Sequence, residues 1–473
     1  MFRRDIMPIL GAFIVPHPPV ILPEVGRGEE KKIQKTVDAY REIARRVARL
    51  KPETIVVTSP HSVMYADYIH ISPGEKASGD MRQFRAPQVA VKAVYDTAFV
   101  EALSTAADEA GLPAGTLGER DRSLDHGTML PLLFIGEEYA DYRLVRTGLS
   151  GLNPADHYRF GMCIASAAEK TGRKIVLIAS GDLSHKTRAD GPYGYAAEGV
   201  QFDREITEAM AAGDFMRFMT FAPDFAEKAA ECGLRSCIIM AGALDGIDVD
   251  AELLSYEGTF GVGYGVASFM PKGSNPERRF LEKYLRREEE RLGAIKDRED
   301  PYVRLARYSV EHFITTGKRA ALPDGLPDDL LMTRAGVFVS LKKHGSLRGC
   351  IGTISPVTES VAEEILRNAV SSCSEDPRFD KVKPEELRDL VYSVDILSPA
   401  EPIASASELD VKRYGVIVSA GYKRGLLLPN LDGVDTVEQQ ISIARQKAGI
   451  RPGDKISLER FEVVRHKADG ADL

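Results

Sequence analysis

The chain has 473 residues, 44% hydrophobic and 28% charged, with a formal net charge of -8. That length exceeds one ordinary core and predicts two or three domains, while the acidic balance argues against a general electrostatic grip on nucleic acid or anionic membrane. Five cysteines without paired spacing point to a reduced, cytoplasmic setting, and no run approaches the roughly 20 apolar residues of a membrane span.

Phe2-Arg3-Arg4 before a short apolar run imitates a secretory signal only faintly. The run stops at Pro16-His17-Pro18-Pro19 without a small-residue cleavage site, so no export is expected. Residues 9–15 read as a strand. Ile33, Val37, Tyr40, Ile43, Val47 and Leu50 recur at helical spacing, predicting an amphipathic helix over 30–50. A strand before His61, another over Tyr68–Ser72, helices near 97–111 and 154–172, and a strand ending at Ser180 follow. Residues 196–230 read as largely helical, and Gly258–Phe269 as a closing strand. This alternation predicts an α/β domain over 1–270, a sheet with helices on both faces.

Pro271-Lys272-Gly273-Ser274-Asn275-Pro276 is a cluster of breakers, and 277–300 is dense in Arg, Glu and Lys. Together they predict a loop and a charged, solvated helix linking two domains. Residues 301–473 return to α+β. They carry a helix over Tyr302–Thr315, strands at Ala335–Leu341, Leu347–Ile354, Leu390–Leu397, Gly415–Ala420 and Gly425–Leu428, and a helix over Thr436–Ala448.

Candidate chemistry gathers where strands end. His17, His61 and His185 each follow a strand-forming run, in Ile14-Val15-Pro16-His17, Ile55-Val56-Val57-Thr58-Ser59-Pro60-His61 and Ile175-Val176-Leu177-Ile178-Ala179-Ser180-Gly181-Asp182-Leu183-Ser184-His185. Ligands of open α/β sheets bind beyond the carboxyl ends of strands. Imidazoles from separate strands are thus placed to meet at one metal, and Leu124-Asp125-His126-Gly127-Thr128 brings another. Two histidines plus one anionic residue suit a divalent ion with open positions. The third ligand must be acidic or thiolate, and Glu231-Cys232-Gly233 and Glu257 offer it. A histidine outside the metal set is available for acid–base work. Asp182, three residues before His185, is placed to orient that ring. His70 and His157 lack a strand-end setting and read as structural.

On PHPP at 16–19, SPH at 59–61, LDHG at 124–127 and SGDLSH at 180–185, residues 8–270 resemble the class III extradiol ring-cleavage dioxygenase B-subunit superfamily, which includes the Memo-like proteins. In the dioxygenases the resemblance implies a ferrous ion held by two histidines and a glutamate, an aromatic substrate and a proton-moving histidine. Carried over, His17 and His61 become metal ligands, and His126 and His185 acid–base or substrate-binding groups. The segment Glu231-Cys232-Gly233-Leu234-Arg235 looks like the Memo-like branch, in which cysteine replaces the carboxylate. Cys232 is therefore favoured as third ligand, with Glu231 in reserve. A thiolate is softer than a carboxylate and favours zinc or copper, or a redox-sensitive site.

In the second half, Ser346-Leu347-Arg348-Gly349-Cys350-Ile351-Gly352-Thr353 sets a thiol beside a cationic side chain, an arrangement that lowers a thiol pKa. Cys350 is thus a candidate nucleophile, with His344 as a candidate base and a structural cysteine in a tight turn as the alternative. The LRGCIG run, with Asp376-Pro377-Arg378-Phe379, Val394-Asp395-Ile396-Leu397-Ser398 and Arg424-Gly425-Leu426-Leu427-Leu428-Pro429, resembles the AMMECR-type domain. That family implies a compact α+β fold and no settled reaction. Both halves in one chain resemble a component of the AmmeMemoRadiSam system, which implies a separate radical S-adenosylmethionine protein as partner. This chain lacks the clustered CxxxCxxC set for an iron–sulfur cluster. The expected function is a metal-dependent, extradiol dioxygenase-like oxidoreductase fused to an AMMECR-type domain. The rival expectations are a metal-binding or redox-sensing scaffold, and a thiol-dependent enzyme centred on Cys350. Self-association is left open.

Overall fold

The structure, a computed structural model, describes residues 7–118, 123–431 and 433–468. The basic start at Phe2-Arg3-Arg4 lies outside them. The chain divides between Arg287 and Glu288 into two compact units.

The first unit is built on a six-stranded sheet. Its strands are β1 (Ile9–Val15), β2 (Thr54–Thr58), β3 (Arg143–Thr147), β4 (Ile175–Ser180), β5 (Ile247–Glu257) and β6 (Tyr264–Ser274), in the order β3-β2-β4-β1-β6-β5. The first four are mutually parallel, and β6 and β5 close the β1 side antiparallel. Residues of the central strands are buried on both faces, which is why β4 reads as an unbroken apolar run. Period-two alternation sends Phe13, Val15, Val176 and Ile178 to one core, and Ala12, Ile14, Leu177 and Ala179 to the other. Helices α1 (Gln34–Leu50) and α2 (His126–Gly136) cover the first face. Helices α3 (Pro154–Thr171) and α4 (Leu234–Ala243), with Thr97–Glu109 and Ala197–Ala212, cover the second. The expected α/β sheet with helices on both faces is the architecture found.

Several elements differ from the sequence reading. The closing strand is a long hairpin, β5 with β6, and Gly258–Gly263 forms its connection. The breaker cluster does not end β6, which continues through Ser274. A register shift between Pro271 and Gly273 absorbs the missing amide donor, as a bulge does. The span 196–230 splits into three helices, with Phe215–Met219 and Pro223–Ala229 following the first. Of the expected Tyr68–Ser72 strand, Ile69–His70 forms a two-residue strand and Ile71 makes a single bridge to Thr147. A hairpin of Lys76–Met81 and Ala86–Val94 was not anticipated.

The second unit is α+β and carries two four-stranded sheets. One orders Ser346–Gly352, Gly336–Lys343, Leu390–Leu397 and Val463–Lys467, and its core is shared with helices Pro301–Thr316 and Val361–Ser374. The other orders Glu401–Ile403, Ser457–Phe461, Gly415–Ala420 and Lys423–Leu427, with helix Val437–Lys447 against it.

Candidate metal centre

Parallel strands β1, β2 and β4 deliver their carboxyl ends to one edge, and the loops that leave them carry His17, His61 and Asp182. There the imidazoles converge: His61 Nε2 lies 3.0 Å from His17 Nε2. Cys232 Sγ, arriving just before α4, stands 3.7 Å from the same atom. The donor atoms of His17, His61 and Cys232 all lie within 4.8 Å of one another. Bonds of about 2.0 Å to imidazole and about 2.3 Å to thiolate leave neighbouring donors roughly 3–4 Å apart, so this set fits a metal ion.

The chain segments that support His17 explain which ring nitrogen is available. Its backbone N–H donates to Asp182 Oδ1 at 2.8 Å, and the Tyr40 hydroxyl donates to the carbonyl of Pro16. Pro131, inside α2, has no N–H to give the Gly127 carbonyl one turn earlier. The Ser180 hydroxyl donates to that carbonyl at 2.7 Å instead. The Ser180 oxygen therefore accepts from His17 Nδ1 at 3.0 Å. With the proton held on Nδ1, Nε2 presents its lone pair toward His61 and Cys232. Burial, then the neighbouring His61, pushes the His17 pKa down to about 3, so the ring is neutral near pH 7 and ready to ligate.

Cys232 reaches the cluster across a seam of bare backbone. A Cβ on Gly181 would lie 2.1 Å from the Gly233 Cα. Only two glycines let these segments touch, and their contact allows Asp182 N–H to donate to Cys232 Sγ at 3.3 Å. Burial pushes the Cys232 thiol well up, with Asp182 and Glu231 adding to it, and a bound cation would favour the thiolate. Gly181→Ala is expected to force the segments apart, costing about 1–3 kcal/mol and weakening metal retention. Urea unfolding with metal analysis checks this, and parental stability with full metal would show that the seam yields freely.

The remaining residues singled out in the sequence are placed as follows. His126 opens α2, capped by Asp125, whose carboxylate accepts from Thr128 N at 2.9 Å and from Ser59 Oγ at 2.6 Å. Its ring centroid is 4.1 Å from His61 and 5.3 Å from His17, and burial lowers its pKa to about 3. His185 lines a cavity of about 760 Å³ together with His17, His61, His126 and Asp182. Its Nδ1 is buried and has no hydrogen-bond partner among the described residues. Asp182 does not orient His185 by a hydrogen bond: its carboxylate holds the His17 backbone, and burial lifts its pKa to about 6. Glu231 and Glu257 stay outside the donor group. Glu231 accepts from Leu234 N–H at 2.6 Å at the start of α4, and Glu257 accepts from Thr36 N–H at 2.8 Å. His157 is buried and bonded to the Asn153 carbonyl, and His70 is buried within its short strand.

In the second unit, Cys350 is half-buried and burial raises its thiol pKa, against the sequence expectation. Arg348 is occupied by Glu386, at 3.0 Å, and by the Asp380 carbonyl. What holds Cys350 is Asp376, which accepts its N–H at 2.8 Å and is paired with Arg378, and Ser340, whose hydroxyl points to Sγ at 3.1 Å. Sequence reasoning missed this clamp, as it missed Ser180 and Pro131 behind His17. The Asp376-Pro377-Arg378 turn was the available signal.

No described helix is long and apolar enough to cross a membrane. A protein of Clostridium acetobutylicum is 42% identical over 98% of this chain and all of its own length. One from Thermotoga maritima is 50% identical over 36% of this chain and 98% of its own. The crystal structure of protein PH0010 from Pyrococcus horikoshii shares 33% identity over 35% of this chain and 88% of its own, with a TM-score of 0.33. Residues 303–469 match the AMMECR1 family. Residues 11–267 match the family described as the catalytic LigB subunit of aromatic ring-opening dioxygenase, and with more than half its length so matched the chain belongs to that family, its LigB domain followed by an AMMECR1 domain.

Proposed function

We propose that the first unit is a metal-dependent, extradiol dioxygenase-like oxidoreductase acting on an aromatic substrate. The convergence of His17, His61 and Cys232 donor atoms beside a cavity carries this reading. His17 Nε2, His61 Nε2 and Cys232 Sγ would hold the divalent ion, with Glu231 held off by its bond to Leu234. Family likeness favours Fe(II), and the thiolate also suits zinc or copper. When bound, such an ion supplies open positions for substrate and polarises it. His185 and His126 bound the space where a substrate would sit. His185, which lines that space, would take or return a substrate proton, and Asp182 would keep His17 in position. Phe84 meets the His126 ring edge-on at 5.2 Å and lines the same cavity.

In this proposal the chain works in the cytoplasm, with a radical S-adenosylmethionine protein as separate partner of the fused AMMECR1 domain. Cys232 in place of a carboxylate favours one second reading, a metal-binding redox sensor without ring cleavage. Anaerobically purified protein, assayed for metal and then for oxygen uptake with a panel of catechols, separates the two. The oxygenase reading expects iron and uptake. His185→Ala is expected to keep the metal and slow turnover by about 100-fold or more. Unchanged turnover would remove His185 from proton transfer, and metal without any uptake would favour the sensor.

A further inference from the structure

A phenol from the closing hairpin reaches the same sheet edge as the histidines. β6 runs antiparallel to β1, so its first residue lies where the parallel strands end. Ile14 of β1 pairs with Ala267 of β6. Three residues on from Ile14 stands His17, and three back from Ala267 stands Tyr264, so the register carries the tyrosine to the level of the metal ligand. The Tyr264 side chain packs in the core on the first face of the sheet, with Val262 and Val266, and the residue is 4% exposed. It also lines the cavity shared by His17, His61, His126 and His185.

Other side-chain donors of that wall are engaged or wet. Arg188 donates to Asp190, through Nε at 2.9 Å and Nη2 at 2.8 Å, and the Thr259 hydroxyl donates to the Lys32 carbonyl at 3.2 Å. Tyr193 is 59% exposed. The Tyr264 hydroxyl makes no hydrogen bond among the described residues. A polar group so enclosed costs free energy until a partner arrives. Burial, with Asp182 and Tyr193 adding to it, pushes the phenol pKa up, so the hydroxyl stays protonated at neutral pH. A fixed, neutral O–H in a cavity wall is worth most to an oxygen that is gaining negative charge.

We propose that Tyr264 touches the substrate: its O–H donates a hydrogen bond to a substrate oxygen as that oxygen becomes anionic, and no proton is transferred. This rests on the metal-site reading above and adds a charge-stabilising donor to it. The full-length protein is loaded with Zn(II), which has no redox chemistry and so blocks turnover. It is then titrated with 4-nitrocatechol, whose colour reports its own ionisation.

Tyr264→Phe keeps the ring in its apolar setting and removes the hydroxyl alone. It is expected to retain zinc, to bind the probe about tenfold more weakly, and to raise the pH at which the bound probe ionises by about 1 pH unit. 3-Fluorotyrosine placed at position 264, a more acidic donor of nearly the same shape, should lower that pH. An ionisation pH that neither change moves overturns the role of Tyr264 while the metal reading stands. Loss of zinc from Tyr264→Phe overturns it too, because the hydroxyl would then serve the ligands and not the substrate. Failure of 4-nitrocatechol to bind the loaded wild-type protein overturns the metal reading and the phenol's role with it. The fluorinated protein decides the question on its own if Tyr264→Phe does not fold.

Discussion

His17→Ala is expected to strip the bound metal, lowering affinity by at least about 100-fold, since even partners behind a ligand are worth 10–100-fold. His61→Ala should do the same. The His17 ring is 2% exposed and sits at the meeting point of two other donors, so its loss removes one of three converging ligands. The fold should survive, because the bond from the residue 17 amide to Asp182 is made by backbone and persists in alanine. Metal analysis of purified protein, with circular dichroism as the check on folding, reads the result. Stoichiometric metal in both variants would refute the ligand assignment. Cys232→Ala belongs in the same series: full retention of metal would move the third ligand elsewhere.

Glu299→Ala is expected to destabilise the second unit by about 3 kcal/mol, the low end of the range for breaking a buried ion pair. Arg307 Nε donates to both Glu299 oxygens, at 2.9 and 3.1 Å, and its guanidinium lies over the Tyr392 ring at 4.4 Å. The two side chains are only 9% and 1% exposed, so alanine leaves a cation with little water to reach. Glu311, 3.5 Å from Nη1, compensates in part, which places the effect at the lower bound. Replacing both partners by apolar residues of similar volume should cost far less. Hydrogen exchange across residues 301–397 in denaturant follows this unit separately from the first. Equal losses for the single and the double replacement would sink the argument.

How much of this was legible depends on what each residue announces. β1, β2 and β4 are buried on both faces and therefore spell themselves as apolar runs, and the histidines that follow them inherited a position. β3 is Arg-Leu-Val-Arg-Thr, and its charges conceal a buried strand, because Arg146 is satisfied by Ser72 and Ser123 from distant segments. α2 is apolar all round and interrupted by Pro131, so it carries no amphipathic stripe to detect. The Lys76–Val94 hairpin exposes much of both its strands, and polar residues dilute any run. Cys232 was singled out by family likeness, and only the closed fold reveals the glycine contact that brings it in. Arg348 illustrates the opposite error: adjacency to Cys350 in sequence implied a partnership that Glu386 had already claimed.

Pro131 is a vacancy in a helix, and its influence travels well past that helix. By withholding an amide proton it leaves the Gly127 oxygen hungry, and the Ser180 hydroxyl rotates to feed it. The orientation of that hydroxyl then settles which nitrogen of His17 stays bare. The basicity offered to an incoming ion thus descends from an imino acid that never needs to meet it. A well-meant repair of the helix with alanine would mend the ladder and blur the tautomer.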